Sequence, residues 1–167
     1  MKFKAILAAL MSVFTFSASG LEIGGKLPNL KGKNQDGKEV VLKAAEGNQW
    51  LLIFTYPKAM TGGCTKQVCS VRDSFENLQG QKVTVFGMST DDVASQKKFV
   101  DAHKLPYDLI SDPKGELAGA LGVPVKLGKF AARQAYLFKD GKLVWKDEKG
   151  ATSTQGEEVL KAIEAAK

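Results

Sequence analysis

The run Trp50-Leu51-Leu52-Ile53-Phe54-Thr55-Tyr56, stopped by Pro57, constrains the fold more than any other part of this chain. It is too short to be a membrane helix and lacks the polar alternation of a strand with one wet face. It therefore reads as a strand buried on both faces, which needs a packed layer on each side.

The flanking sequence supplies such layers. After Gly62-Gly63, Val68, Val71, Phe75 and Leu78 recur at spacings of three and four, predicting a helix that ends near Gly80. Residues 83–88 form a second apolar strand, and Ser89-Thr90-Asp91-Asp92 offers cap chemistry for a helix through Val93, Phe99 and Val100. Leu109-Ile110 reads as a short strand, and Ser111-Asp112-Pro113 opens a helical turn that stops around Gly122. Asp36-Gly37 and Asp140-Gly141 each sit between strand-like segments and mark tight hairpins. Thr154-x-x-Glu157 matches a capping box ahead of a last helix with Val159, Leu160 and Ile163 on one face. Strands alternating with helices early, and a hairpin late, predict an α/β sandwich around a mixed sheet. Residues 21–167 read as one domain, without repeat or linker.

Residues 1–20 read differently. Lys2 and Lys4 precede an apolar stretch over residues 5–16, and small residues follow at Ser17, Ala18, Ser19 and Gly20. That order predicts a secretory signal peptide cleaved after Ser19 or Gly20. The stretch falls short of the ~20 apolar residues that span a bilayer, so no stable membrane association is expected after cleavage. Export, to a bacterial periplasm, is the expected destination. Removing the leader lowers the formal charge from +6 (24 basic minus 18 acidic residues) to +4 (22 minus 18). The remaining lysines are scattered rather than clustered with aromatics, which argues against a nucleic-acid face. No exposed apolar stripe stands out, so a monomer is expected.

Two cysteines and one histidine cannot build a Cys₄ or Cys₂His₂ zinc site or a disulfide-dense scaffold. Cys64 falls at a strand-to-helix junction, where unpaired backbone N–H groups and the positive helix end stabilise a thiolate. Thr61, three residues upstream, has a hydroxyl that can reach that thiolate or an oxygen held against it. Gly62 and Gly63 let the backbone approach a ligand closely. Cys69 lies five residues after Cys64. On an ideal helix that separation is ~8.7 Å between Cα atoms, beyond the ~7 Å a disulfide tolerates. Three readings stay open on these residues alone. The cysteines are a structural disulfide of an exported protein, a copper site completed by His103, or a redox pair that bonds when the helix unwinds. His103 by itself reads as a surface or packing residue, and Arg72-Asp73 as a helix-face ion pair.

These residues resemble the peroxiredoxins, specifically the peroxiredoxin Q or bacterioferritin comigratory protein group. Pro57, Thr61 and Cys64 fit the family's P-x-x-x-T-x-x-C pattern, and Cys69 stands where that group carries its resolving cysteine. The likeness continues through Gly87-Met88-Ser89-Thr90-Asp91, Leu109-Ile110-Ser111-Asp112-Pro113 and Arg133-Gln134-Ala135-Tyr136-Leu137-Phe138. Gly62 replaces a common proline, Gln67 a usual glutamate, and Gln134-Ala135 the usual small hydroxylated residues.

The resemblance implies a thioredoxin-like three-layer sandwich with a mixed central sheet and an N-terminal hairpin. It implies a thiol-dependent peroxidase that reduces hydrogen peroxide and organic hydroperoxides without metal or other cofactor. In that scheme Cys64 attacks the peroxide and Cys69 closes an intramolecular disulfide with it. Thr61, Gly63 and Arg133 hold the substrate, and Pro57 shields the thiolate. A thioredoxin-like or other dithiol then reduces the disulfide. The competing functions are an exported thiol–disulfide oxidoreductase, which would lack a C-x-x-C motif here, and a non-enzymatic copper-binding module on the same fold.

Overall fold

The computed structural model describes residues 20–167. The expected leader, apart from Gly20, lies outside them. In chain order the strands are β1 (Lys31–Asn34), β2 (Glu39–Val41), β3 (Trp50–Thr55), β4 (Val83–Ser89), β5 (Asp108–Ser111), β6 (Val125–Lys126), β7 (Phe130–Ala131), β8 (Gln134–Lys139) and β9 (Lys142–Asp147). The helices are α1 (Gly62–Asp73), α2 (Phe75–Gly80), α3 (Val93–His103), α4 (Glu116–Ala120) and α5 (Gln155–Ala165).

Seven strands form one mixed sheet in the order β2-β1-β5-β4-β3-β8-β9, and β6 and β7 form a separate hairpin. Strands β3, β4 and β5 run parallel, while β8 lies antiparallel to β3 with Trp50 opposite Lys139 and Thr55 opposite Gln134. The central position of β3 explains its composition. Every residue from Trp50 to Thr55 is buried, and successive side chains enter opposite cores. Leu52 and Phe54 pack with Val68, Val71, Phe99, Val159 and Ile163 from the helices on one face. Leu51 and Ile53 pack with Leu30, Leu42, Ile110, Ala118 and Leu121 on the other. The period-two side-chain alternation of a strand thus serves two hydrophobic layers at once, and the three-layer sandwich follows.

Two local details depart from expectation and a third bears it out. The helix after Gly63 does not run unbroken to Gly80: Ser74, at ψ 0°, separates α1 from α2. The start of α5 presses on that junction. A Cβ on Gly156 would lie 2.4 Å from Ser74 Oγ and 2.5 Å from the Ser70 carbonyl oxygen, and Gly156 N–H donates to Ser70 Oγ at 3.0 Å. The capping box at Thr154 does not form, because Thr154 (φ −111°, ψ 1°) is not extended as a capping residue must be. Its hydroxyl donates instead to Glu158 Oε1 at 2.7 Å. In the Ser89-to-Asp92 stretch Asp92 alone caps α3, accepting from Ser95 N–H at 2.8 Å. Hydrogen bonding from Ser95, its side chain first and its N–H second, holds the Asp92 carboxyl below the usual carboxylate range.

Candidate active site

The C-terminal ends of β3 and β4 set the floor of the site. Tyr56 N–H still bonds to the Met88 carbonyl at 3.1 Å, and Pro57, which has no N–H, ends the pairing there. The chain turns back through Met60, at φ 63°, to the extended Thr61 and into α1. Thr61 leads the helix through its carbonyl, which accepts from Thr65 N–H at 2.8 Å. Its hydroxyl donates to the Lys58 carbonyl at 2.9 Å, so its oxygen lone pairs are what it can offer a ligand.

Cys64 occupies the first turn of α1 and is 1% exposed, in the same core as Tyr56 and Val68. Arg133 reaches it from the residue just before β8. One guanidinium nitrogen donates to Cys64 Sγ at 3.4 Å, and the other to Gln67 Oε1 at 2.7 Å and to the Gly63 carbonyl at 3.3 Å. Gln67 in turn donates to Gln155 Oε1 on α5 at 3.0 Å. A fixed, permanently charged fork beside a helix N-terminus is an environment that favours a negative oxygen formed against the sulfur.

Four neighbouring features escape a reading of the sequence by itself. Gly150, at φ 76°, passes so close to Arg133 that a Cβ there would lie 2.5 Å from its carbonyl oxygen and 2.6 Å from its Cβ and Cγ. Asp91 is buried and holds the loop before Thr61. It accepts from Ala59 N–H at 2.7 Å, Ser89 Oγ at 2.8 Å and Lys58 Nζ at 3.0 Å. Gln155 completes the chain to Arg133 but leaves its own buried Nε2 without a partner. Tyr56, fully buried, donates to Gln96 Oε1 at 2.5 Å, and burial pushes its ionisation far above the ordinary tyrosine range. Of these, Asp91 carried a signal in the sequence through its place in the Gly87-to-Asp91 match, and Tyr56 through its place at the end of the buried run from Trp50.

An open pocket of about 790 Å³ adjoins the site, with Pro57 and Arg133 on its wall beside Leu127, Phe130 and Ala132. Leu127 is 87% exposed at the tip of the β6–β7 hairpin. A second cavity, of about 610 Å³, lies away from both cysteines between Lys31, Asp92 and Leu117.

Both cysteines are unbonded, and both lie within α1, Cys64 buried and Cys69 half-buried. Cys69 does not share the Arg133 site. Its sulfur lies 3.9 Å from His103 Nδ1. Arg72 does more than pair with Asp73 at 2.8 Å, because it also donates to the His103 carbonyl at 2.9 Å. Among the described residues, no group of three or more His, Cys, Asp or Glu is placed to hold a metal ion, and no helix is long and apolar enough to cross a membrane.

Residues 23–146 match the AhpC/TSA family. Over 123 residues the chain is 39% identical to "Peroxiredoxin bcp1" of Schizosaccharomyces pombe, covering 74% of this chain and 63% of that protein. Over 115 residues it is 42% identical to "Peroxiredoxin Q, chloroplastic" of Triticum aestivum, covering 68% and 52%. The chain thus spans between about half and two thirds of the length of these curated relatives. Among solved structures, the peroxidoxin BcpB of Mycobacterium tuberculosis superposes with a TM-score of 0.81 at 27% identity, covering 88% of this chain and 99% of that one. Peroxiredoxin Q of Xanthomonas campestris superposes with a TM-score of 0.75 at 25% identity, covering 84% and 98%.

Proposed function

The chain belongs to the AhpC/TSA family, within its peroxiredoxin Q/bacterioferritin comigratory protein group, and from that premise we propose that it is a thiol-dependent peroxidase. The observation that carries this reading is the Arg133 guanidinium 3.4 Å from the buried Cys64 sulfur in the first turn of α1.

The Cys64 thiolate attacks the distal oxygen of the hydroperoxide. The S–O bond forms as the O–O bond breaks, Cys64 becomes a sulfenic acid, and the departing oxygen takes a proton to leave as water or alcohol. Arg133 stabilises negative charge as it moves from sulfur to oxygen. Thr61, with its hydroxyl proton committed to Lys58, accepts the peroxide's O–H. Gly63 brings its backbone to the substrate, and Pro57 keeps bulk water off the sulfur. Hydrogen peroxide and organic hydroperoxides are the proposed substrates, the latter supported by the apolar wall of Leu127, Phe130 and Pro57 beside Arg133.

Cys69 resolves the sulfenic acid by forming a disulfide with Cys64 and releasing water. Both residues lie in α1, where ideal geometry keeps their Cα atoms ~8.7 Å apart, so the helix must open locally for the bond to form. An external dithiol, thioredoxin-like in chemistry, returns the pair to thiols. We infer that the protein is exported to a periplasm and cleaved, on the strength of the charge and apolar pattern of residues 1–20, and that it works there as a monomer, since no apolar stripe stands out in its sequence.

The test is to mix the reduced protein with hydrogen peroxide and follow peroxide loss together with disulfide formation. The expected result is rapid loss with a Cys64–Cys69 bond, abolished in Cys64→Ser. Undiminished peroxide loss in that variant would overturn the reading.

A further inference from the structure

We infer that His103 is the proton acceptor for Cys69, so that the second cysteine has its own base on a different helix from the one it shares with Cys64. The inference rests on the proposed role of Cys69 as the resolving thiol.

His103 is the only histidine in the chain and closes the last turn of α3. Its ring is held edge-on to Phe99, with centroids 5.2 Å apart and planes at 87°. Arg72, nearly one turn beyond Cys69 on α1, donates to the His103 backbone carbonyl at 2.9 Å and ties the two helices together at this point. Held in this way, Nδ1 lies 3.9 Å from Cys69 Sγ. That is a sulfur–nitrogen hydrogen-bond contact at the long end of its range.

The other ionisable groups around Cys69 are unsuited to the task. Arg72, on α1, pairs with Asp73 at 2.8 Å, and Asp73 reinforces its charged form. Tyr107, packed from beyond α3, donates its phenol proton to the Val68 carbonyl at 2.7 Å. Burial pushes its ionisation well above the ordinary range, so it stays neutral. Lys104 follows His103 in the left-handed conformation and carries a cation, with no acceptor for a thiol proton. An imidazole is the side chain able to take and return a proton near neutral pH.

The step balances without an added oxidant. The neutral imidazole takes the Cys69 S–H proton while α1 is still helical. When the helix opens, the Cys69 thiolate attacks the Cys64 sulfur, the S–S bond forms and the S–O bond breaks. The departing hydroxide takes a proton from solvent to become water, and His103 returns its own to solvent. Cys69 is oxidised and the Cys64 sulfenic sulfur is reduced.

The experiment uses the full chain carrying Cys64→Ser, in which Cys69 is the single thiol and no peroxide chemistry is needed. Alkylation of Cys69 by iodoacetamide is followed by mass spectrometry across the neutral pH range, with and without His103→Gln and His103→Asn. Circular dichroism reports whether each variant is folded. Both substitutions are expected to slow alkylation about tenfold at pH 7 and to remove the limb of the pH profile that the imidazole controls. Equal or faster alkylation without His103, or an unchanged profile, overturns the inference. Failure of the peroxidase reading would show instead in the Cys64→Ser peroxide assay, so the two failures are distinguishable.

Discussion

Arg133 donates to the Cys64 sulfur at 3.4 Å from 69 residues further along the chain, and the same guanidinium is held in place by the Gln67 side chain and the Gly63 carbonyl. One planar fork makes all three contacts. A lysine at this position keeps the charge but has a single ammonium on a flexible stem, and it cannot hold the three acceptors in that geometry. Arg133→Lys should therefore lower the second-order rate constant with hydrogen peroxide by about a hundredfold or more, the usual effect of losing an oriented donor to a developing negative oxygen. Stopped-flow peroxide reduction checks this, and a rate within a few fold of the parent would remove Arg133 from the mechanism.

Gly150 bears on the same arginine. Its φ of 76° is a conformation a side chain resists, and a Cβ would lie 2.5–2.6 Å from Arg133 atoms. Gly150→Ala should cost about 1–2 kcal/mol from the left-handed conformation alone, with further loss from the clash. Peroxide reduction should also fall, because the relief available is to move Arg133. Thermal unfolding and kinetics on the one variant measure both effects.

Asp91 is 6% exposed and takes two donors on one carboxylate oxygen and Lys58 on the other. Asp91→Ala leaves the buried Ala59 N–H without an acceptor, which should destabilise the protein by about 2–4 kcal/mol. Asp91→Asn keeps an acceptor oxygen and should lose less. Urea unfolding of the pair tests the order, and an alanine variant as stable as the asparagine variant would contradict it.

Asp112 yields a pH prediction. Burial raises its carboxyl above the ordinary carboxylate range, although its Oδ2 accepts from Ala118 N–H at 2.9 Å. A raised folded value means that the native state binds this proton more tightly than the unfolded chain does. The stabilisation is complete below the unfolded value, near pH 4, and is lost as pH rises through the higher folded one. The parent should therefore lose stability relative to Asp112→Asn as pH rises from about 4 through that window. Parallel melting curves of the two proteins should diverge in that direction only.

Much of the layer order was already visible in local sequence. The Trp50-to-Tyr56 run became the doubly buried strand β3, the Asp36-Gly37 and Asp140-Gly141 turns became hairpins, and Cys64 came to lie in the first turn of a helix. These features depend on side-chain periodicity and turn chemistry, which act over a few residues. Two expectations failed, one against a distant segment and one against a competing partner in the same helix. The helix breaks at Ser74 against Gly156, and Thr154 prefers Glu158 to its own helix end.

The sequence by itself determined the reactive types and their spacing: a cysteine at a strand-to-helix junction, a second five residues on, and a threonine three residues before. Only the tertiary structure decided what surrounds each sulfur. Antiparallel pairing of β8 with β3 carries Arg133 to Cys64, and the packing of α3 against α1 carries His103 to Cys69. Those neighbours come from parts of the chain many residues away. Their placement follows from the burial of both sheet faces, which is a property of the assembled layers rather than of any short segment.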